Sequence, residues 1–123
     1  MMKFQDYKYI RPDLIKIGEQ FEILLDRFNA ADSFEEQNEI MREINKIRSG
    51  VETMENLVYI RHSIDTEDEY YAREKDFLDE NMPEYQNIAS KYYKALVGSR
   101  FKEELAKVWG RQIFTLAELE LKT

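Results

Sequence analysis

The fold is decided by the stretch Tyr59-Ile-Arg-His-Ser-Ile-Asp-Thr-Glu-Asp-Glu-Tyr-Tyr-Ala-Arg-Glu-Lys-Asp-Phe-Leu-Asp-Glu-Asn-Met-Pro-Glu-Tyr85, where one helical pattern ends and another begins. It contains nine carboxylates, the one histidine of the chain, His62, and Pro83. The first helical pattern ends near His62. A capping box at Thr66-x-x-Glu69, or a cap at Asp65, then predicts the next helical start. Two long helices joined by a short turn therefore define the architecture.

Upstream of this stretch, apolar residues recur at three- and four-residue steps, as they do on one face of an α-helix. The first stripe predicts a helix with Pro12 and Asp13 in its first turn, in which Gly18 marks a close crossing by a neighbour. A capping box at Ser33-Phe-Glu-Glu36 predicts a second helix from Ser33 to about His62. The stripes are Leu14, Ile17, Phe21, Leu24 and Phe28, followed by Ile40, Ile44, Ile47, Val51, Met54 and Val58.

Downstream, the helical pattern continues across Pro83 without losing phase. We expect two nearly collinear segments, the first ending near Asn81, because proline removes one backbone hydrogen bond and clashes with the preceding turn. Gly98 and Ser99 end this element, and a last helical pattern follows over residues 101–119, bent at Gly110. The fold class is therefore all-α, a bundle of long antiparallel amphipathic helices joined by short turns, with residues 1–123 as one helical domain.

Composition excludes several classes of protein. The 123 residues carry a net charge of −7, which disfavours binding to nucleic acid. No apolar run approaches the length of a membrane span, and the N-terminus has no apolar signal region. The chain has no cysteine, which rules out thiolate chemistry within it and is compatible with a reducing interior. We expect a cytoplasmic protein that contacts neither membrane nor nucleic acid.

His62 is the first residue to test as a metal ligand or catalytic base. Helical zinc sites need two imidazoles four residues apart, and the chain has one. A di-iron bundle needs a glutamate three residues before the histidine, where Tyr59 stands. Ser63 and Asp65 are near in sequence, but no pattern places them for catalysis. We interpret His62 as a side chain that meets the negative end of a helix dipole.

The acidic run is the second candidate site. Asp65, Glu67, Glu69 and Asp76 fall at calcium-loop spacing, but Tyr70 stands where that loop needs glycine. Asp76 and Glu80 could form a carboxylate pair, although such runs are usually a solvated helix face. We therefore assign no catalytic, cofactor-binding or metal-ligating residue to this chain.

Aromatic and apolar residues suggest surfaces rather than a reaction. In the pairs Tyr70-Tyr71 and Tyr92-Tyr93 the side chains diverge by about 100°, so one member of each pair reaches a rim or a partner. Phe4, Tyr7, Tyr9 and Ile10 are predicted to dock on the bundle as an extended arm. The apolar stripe is still running where the sequence stops, so we expect the native chain to continue beyond Thr123. Ile113, Leu116 and Leu119 should form an exposed strip through which the isolated segment self-associates.

Several segments together, in their order and spacing, form a recognisable pattern. They are Phe4-x-Asp-Tyr-x-Tyr-x-Arg-Pro-Asp13, Ile60-Arg-His-Ser-Ile-Asp-Thr66, Glu69-Tyr-Tyr71 with Glu74, Asp76-Phe77, Asp79-Glu80, Pro83-Glu84, Tyr92-Tyr-Lys-Ala-Leu96, Phe101 with Glu104-Leu105, and Leu116-Ala-Glu-Leu119. This pattern resembles the N-terminal region of oligoendopeptidase F-type zinc metallopeptidases, relatives of thimet oligopeptidase. The resemblance covers the whole chain, and Arg100 is a departure, because relatives tend to have proline between the serine and the phenylalanine there.

The resemblance implies a non-catalytic lobe of a larger enzyme. The family's zinc site is a His-Glu-x-x-His helix with a further glutamate, and no position of this chain matches it. The implied partners are the enzyme's own C-terminal catalytic domain, which carries the zinc, and short peptides in a cleft that this lobe helps to form. The segment alone should be inactive. The alternative is a stand-alone helical module that binds a partner helix and has no enzymatic activity.

Overall fold

A computed structural model describes residues 8–122, in which five helices and no strand occur. The predicted all-α fold is confirmed. No helix within this range combines the length and the apolar character needed to cross a bilayer. The helices are α1 (Leu14–Ala30), α2 (Phe34–Ile64), α3 (Glu69–Val97), α4 (Lys102–Trp109) and α5 (Gln112–Lys122).

The first two helices begin at side-chain caps. Asp13 is the N-cap of α1 and accepts a hydrogen bond from the backbone N–H of Lys16 at 3.2 Å, so Asp13 and Pro12 precede the first turn rather than lie in it. Ser33 caps α2, as predicted, and its Oγ accepts from the backbone N–H of Glu36 at 3.2 Å. Each cap satisfies a donor that the helix itself leaves unpaired.

The start of α3 differs from the prediction. Neither Thr66 nor Asp65 caps it; Asp68 does, accepting from the backbone N–H of Tyr70 at 2.8 Å. Asp65 instead closes the preceding turn by accepting from the backbone N–H of Glu67 at 3.1 Å. All three side chains are good caps, and the length of the turn after α2 selects the last of them.

Pro83 does not divide α3, so the prediction of two segments was wrong. The helix runs unbroken through Pro83, which lies on its exposed side. An interior proline costs roughly 3 kcal/mol. Burial of apolar side chains in the preceding turns offsets this cost, because Met82 is 7% and Leu78 0% exposed.

Glycines lie at the C-terminal ends of α3 and α4. Gly98 is the C-cap of α3, and Gly110, with φ of 92°, separates α4 from α5. The last pattern is therefore two helices rather than one bent helix. At the turn between α3 and α4, Arg100 reaches back to the end of α1, where its Nη2 donates to the carbonyl of Ala31 at 3.4 Å.

The three long helices form an up-down-up bundle, and α5 packs against α3. Contacts from Arg48 to Tyr93 and from Arg61 to Tyr71 show that α2 and α3 are antiparallel. As predicted, Gly18 marks a close crossing, because a Cβ there would lie 3.0 Å from the Ile88 side chain. The largest fully buried side chains are those of Phe21, Phe28, Ile40, Met41, Ile44, Val58, Leu78, Tyr92, Leu96 and Leu105.

The predicted N-terminal arm is present in part. Tyr9 is buried, and its ring lies 6.1 Å from that of Tyr71. Ile10 is 65% exposed, so its side chain does not dock. Phe4 and Tyr7 lie outside the described residues.

Candidate functional site

A groove of about 520 Å³ lies between α2 and α3, and Glu120 near the C-terminal end of α5 also lines it. Its walls carry both signs of charge and two tyrosine rings. Such a surface offers hydrogen-bond donors and acceptors to an extended polar chain. The main lining residues are Arg48, Glu52 and Glu55 from α2, Tyr85, Gln86 and Tyr93 from α3, and Glu120 from α5.

Arg48 is held in place on one wall of this groove. Its Nη2 donates to the hydroxyl of Tyr93 at 2.8 Å, and its Nη1 donates to Oδ1 of Asn45 at 3.3 Å. The guanidinium carbon lies 5.2 Å from the ring centroid of Tyr93, within cation–π range. A planar cation fixed in this way loses little conformational freedom when it binds a carbonyl or carboxylate.

Burial raises the pKa of two side chains in the groove, Glu55 and Tyr85. Burial, with the neighbouring charges of Glu52 and Asp79, raises the pKa of Glu55 above its ordinary value. Burial also raises the pKa of Tyr85 to about 12, so its hydroxyl stays protonated at neutral pH. The groove therefore has the chemistry of a binding surface. No nucleophile paired with a base lines it among the described residues.

A second polar cluster fastens the N-terminal segment to α3. Glu74 is 5% exposed, and its Oε1 accepts from the hydroxyl of Tyr9 and from Nε of Arg11, both at 2.8 Å. Nη2 of Arg11 also donates to Oε2, which makes the pair bidentate. The guanidinium carbon of Arg11 lies 4.0 Å from the ring centroid of Phe77.

These contacts shift the pKa values of Glu74 and Tyr9 in opposite directions. The hydrogen bond from Arg11 holds the pKa of Glu74 below its ordinary range, more than offsetting burial. Burial, followed by the hydrogen bond to Glu74, raises the pKa of the Tyr9 hydroxyl. The carboxylate is therefore ionised and fully engaged at neutral pH, which fits a structural role better than acid–base catalysis.

The same fold occurs in solved structures of other proteins. A model of the peptidase M3 N-terminal domain family matches residues 4–123. The chain belongs to this family. No curated protein matches the chain. The fold and the family together confirm the resemblance to oligoendopeptidase F.

The solved structures that resemble this chain are much longer proteins. One, assigned as an oligoendopeptidase F from Bacillus anthracis str. Ames, is 47% identical, with a TM-score of 0.93 over 100% of this chain and 23% of its own. Pz peptidase A with an inhibitor is also 47% identical, with a TM-score of 0.93 over 98% of this chain and 22% of its own. The chain thus spans less than a quarter of the length of these structures.

His62 lies half-buried near the end of α2, and the structure brings no catalytic partner to it among the described residues. Its Nδ1 is buried and has no hydrogen-bond partner among the described atoms. Ser63 donates to the carbonyl of Ile60 at 2.7 Å, and Asp65 accepts within the turn, so both are engaged with backbone. Within residues 8–122, no group of three or more acidic or imidazole side chains is placed to hold a metal ion.

The structure also shows where the acidic run and the pair Tyr92-Tyr93 lie. Glu69 begins α3, so the second half of the calcium-like window is helical, and Asp76 and Glu80 are both exposed. Tyr92 is fully buried, whereas Tyr93 lines the groove. This agrees with the expected divergence within that pair.

Sequence reasoning missed both polar clusters. Glu74 carried a signal, because it lies one turn before Leu78 on the buried stripe of α3, where a charge requires a partner. Arg48 carried none, since it flanks an ordinary apolar stripe. Its position in a groove follows only from how α3 packs across α2.

Proposed function

We propose that this chain is the N-terminal, non-catalytic lobe of an oligopeptide-cleaving zinc metalloendopeptidase of the cytoplasm, and that it helps to wall the substrate cleft. The observation that carries the proposal is the match of residues 4–123 to the M3 N-terminal domain. Solved peptidase structures resemble this chain over 22–23% of their own length. In this proposal, residues 1–123 are one lobe of a longer polypeptide.

The residues of this chain do not fit a zinc site. A single histidine is present, and its neighbours Ser63 and Asp65 are turned to the backbone. The zinc and the hydrolytic chemistry therefore belong, in this proposal, to the part of the polypeptide outside this chain. The lobe contributes shape and polar contacts.

The groove between α2 and α3 is the surface that we assign to the cleft. It combines a fixed guanidinium, carboxylates and tyrosine hydroxyls, which match the alternating carbonyl and amide groups of an unfolded peptide. A wall of this kind supports binding of short peptides without taking part in bond cleavage.

The proposal is tested with the complete reading frame. We expect an in-frame His-Glu-x-x-His beyond Thr123, bound zinc in the full-length protein and hydrolysis of short fluorogenic peptides. Residues 1–123 alone, supplied with zinc, should release no product. A reading frame that ends at Thr123 would instead support the stand-alone interaction module.

The cleft assignment predicts a specific kinetic effect. In the full-length enzyme, Arg48→Ala should raise KM for short peptides by roughly threefold to tenfold while kcat changes little, because a contact made equally in the ground and transition states is lost. Steady-state hydrolysis of a peptide series measures both constants.

The control is Arg42→Ala on the same helix. Arg42 is exposed, away from the groove, and pairs with Glu39 at 3.1 Å. This substitution should leave both constants unchanged. Equal KM values for the Arg48 and Arg42 variants would show that the groove is not part of the substrate cleft. The family assignment would not be affected.

A further inference from the structure

Helix α5 is apolar on two opposite faces. Its inner face packs against α3 through Phe114 and Ala117, which are 4% and 0% exposed. On the opposite side, Leu116 and Leu119 are 60% and 54% exposed. A surface helix normally carries one apolar stripe, whereas a helix apolar on both sides is typical of the interior between two layers.

The outer face of α5 also carries no charge. At 100° per residue, Gln112, Thr115, Leu116 and Leu119 share an arc of about 100°. The two leucines lie one turn apart, so their side chains form one continuous patch. We call these four residues the α5 outer face.

Helix α1 provides the contrast. Ile23 is 61% exposed, about as much as the leucines of α5. On the helical wheel, however, it is surrounded by Lys16, Glu19 and Arg27, all exposed. A single aliphatic side chain among charges is ordinary surface, and exposure alone therefore does not distinguish an interface.

We propose that the α5 outer face is the surface on which the remaining polypeptide of the full-length peptidase docks. This inference rests on the proposed function. The related peptidase structures are more than four times as long as this chain, so most of each polypeptide lies outside the matched region. A helix that is apolar on both sides then becomes an interior helix between the lobe and the rest of the enzyme.

The location of the α5 outer face is consistent with the assignment of the groove between α2 and α3 to the cleft. Glu120, next to Leu119 in sequence, lines the α5 end of the groove between α2 and α3. Docking on the α5 outer face therefore places the rest of the enzyme beside that groove. The same contact would bury an apolar patch and form the second wall of the cleft.

The test uses the full-length enzyme and cysteine labelling, because residues 1–123 contain no native cysteine. Leu119→Cys and Ile23→Cys variants are treated with a maleimide, and peptide mass spectrometry measures labelling at each position, referenced to the same variant in urea. We expect labelling at position 119 to be at least about tenfold slower than at position 23, despite their similar exposure in this domain.

Hydroxyl-radical footprinting of the unsubstituted enzyme is the second measurement, in case Leu119→Cys perturbs folding. Leu116 and Leu119 should be oxidised more slowly than Ile23. Both experiments are run at about 0.1 and about 10 µM protein, since contact with a second copy weakens on dilution. Protection that disappears on dilution, or equal reactivity at the two positions, overturns the proposal.

Peptide hydrolysis by the same preparations separates the two proposals. An enzyme that cleaves short peptides but leaves position 119 as reactive as position 23 refutes only the docking surface. A full-length protein with position 119 protected and no peptidase activity refutes the proposed function, and supports docking within the polypeptide.

Discussion

At the scale of single residues, Glu74 is the charge on which the N-terminal segment depends. Its two oxygens accept from Tyr9 and Arg11 in a site where the side chain is almost fully enclosed. We predict that Glu74→Gln lowers the free energy of unfolding at pH 7 by about 1 to 3 kcal/mol, because the ion pair with Arg11 is lost and one accepting oxygen is replaced by an amide NH2, which cannot accept. Urea denaturation of the 123-residue chain measures the change.

The same residue gives a pH dependence with a definite sign. The pKa of Glu74 is lowered in the folded state, so its contribution is present above the unfolded pKa of about 4.3 and is lost as pH falls through the lower folded value. The difference between wild type and Glu74→Gln should therefore shrink below about pH 4. Glu80→Gln, at an exposed position on the same helix, should show neither effect. A pH-independent difference would contradict the assignment of an ionised Glu74.

Neither polar cluster could be assembled from sequence. Glu74 is separated from Tyr9 by 65 residues and from Arg11 by 63, and no local periodicity joins positions that far apart. The interpretation of His62 needed only the count and spacing of imidazoles. The number and spacing of imidazoles are local information, whereas assembling a cluster from distant residues requires the packing of the helices.

At the scale of elements, two glycines should respond in opposite directions to the same substitution. Gly110 has φ of 92° and ψ of 151°, a region that alanine avoids, so Gly110→Ala should destabilise the chain by about 1 to 3 kcal/mol. Gly50 lies inside α2, and an added Cβ would have no neighbour within 4 Å, so Gly50→Ala should stabilise the chain by about 0.5 to 1 kcal/mol. Urea midpoints of both variants measure this. Shifts of the same sign would contradict the conformation at Gly110.

Element boundaries divide into those that local chemistry sets and those that packing sets. Ser33 and Gly98 cap helices as predicted, because a serine three residues before a glutamate and a glycine after the last apolar residue are strong local signals. The start of α3 had three acceptors within four residues, and the bundle geometry selected Asp68. The continuity of α3 at Pro83 likewise depends on burial against α1 and α2, which local propensity does not contain.

At the scale of the whole molecule, the isolated chain presents an apolar patch that the proposed full-length enzyme would cover. Leu116 and Leu119 stand on an uncharged face, beside the half-buried Ile113, so we predict that residues 1–123 self-associate at micromolar concentration. Sedimentation velocity should show a species larger than a monomer, and the double variant Leu116→Glu with Leu119→Lys should be monomeric. Ile23→Glu should not change the distribution, because Ile23 already lies among charges.

A wild-type chain that sediments as a monomer and leaves a hydrophobic dye dark would show that two exposed leucines are too small a patch to drive association. Association that persists in the double variant would place the contact elsewhere on the bundle.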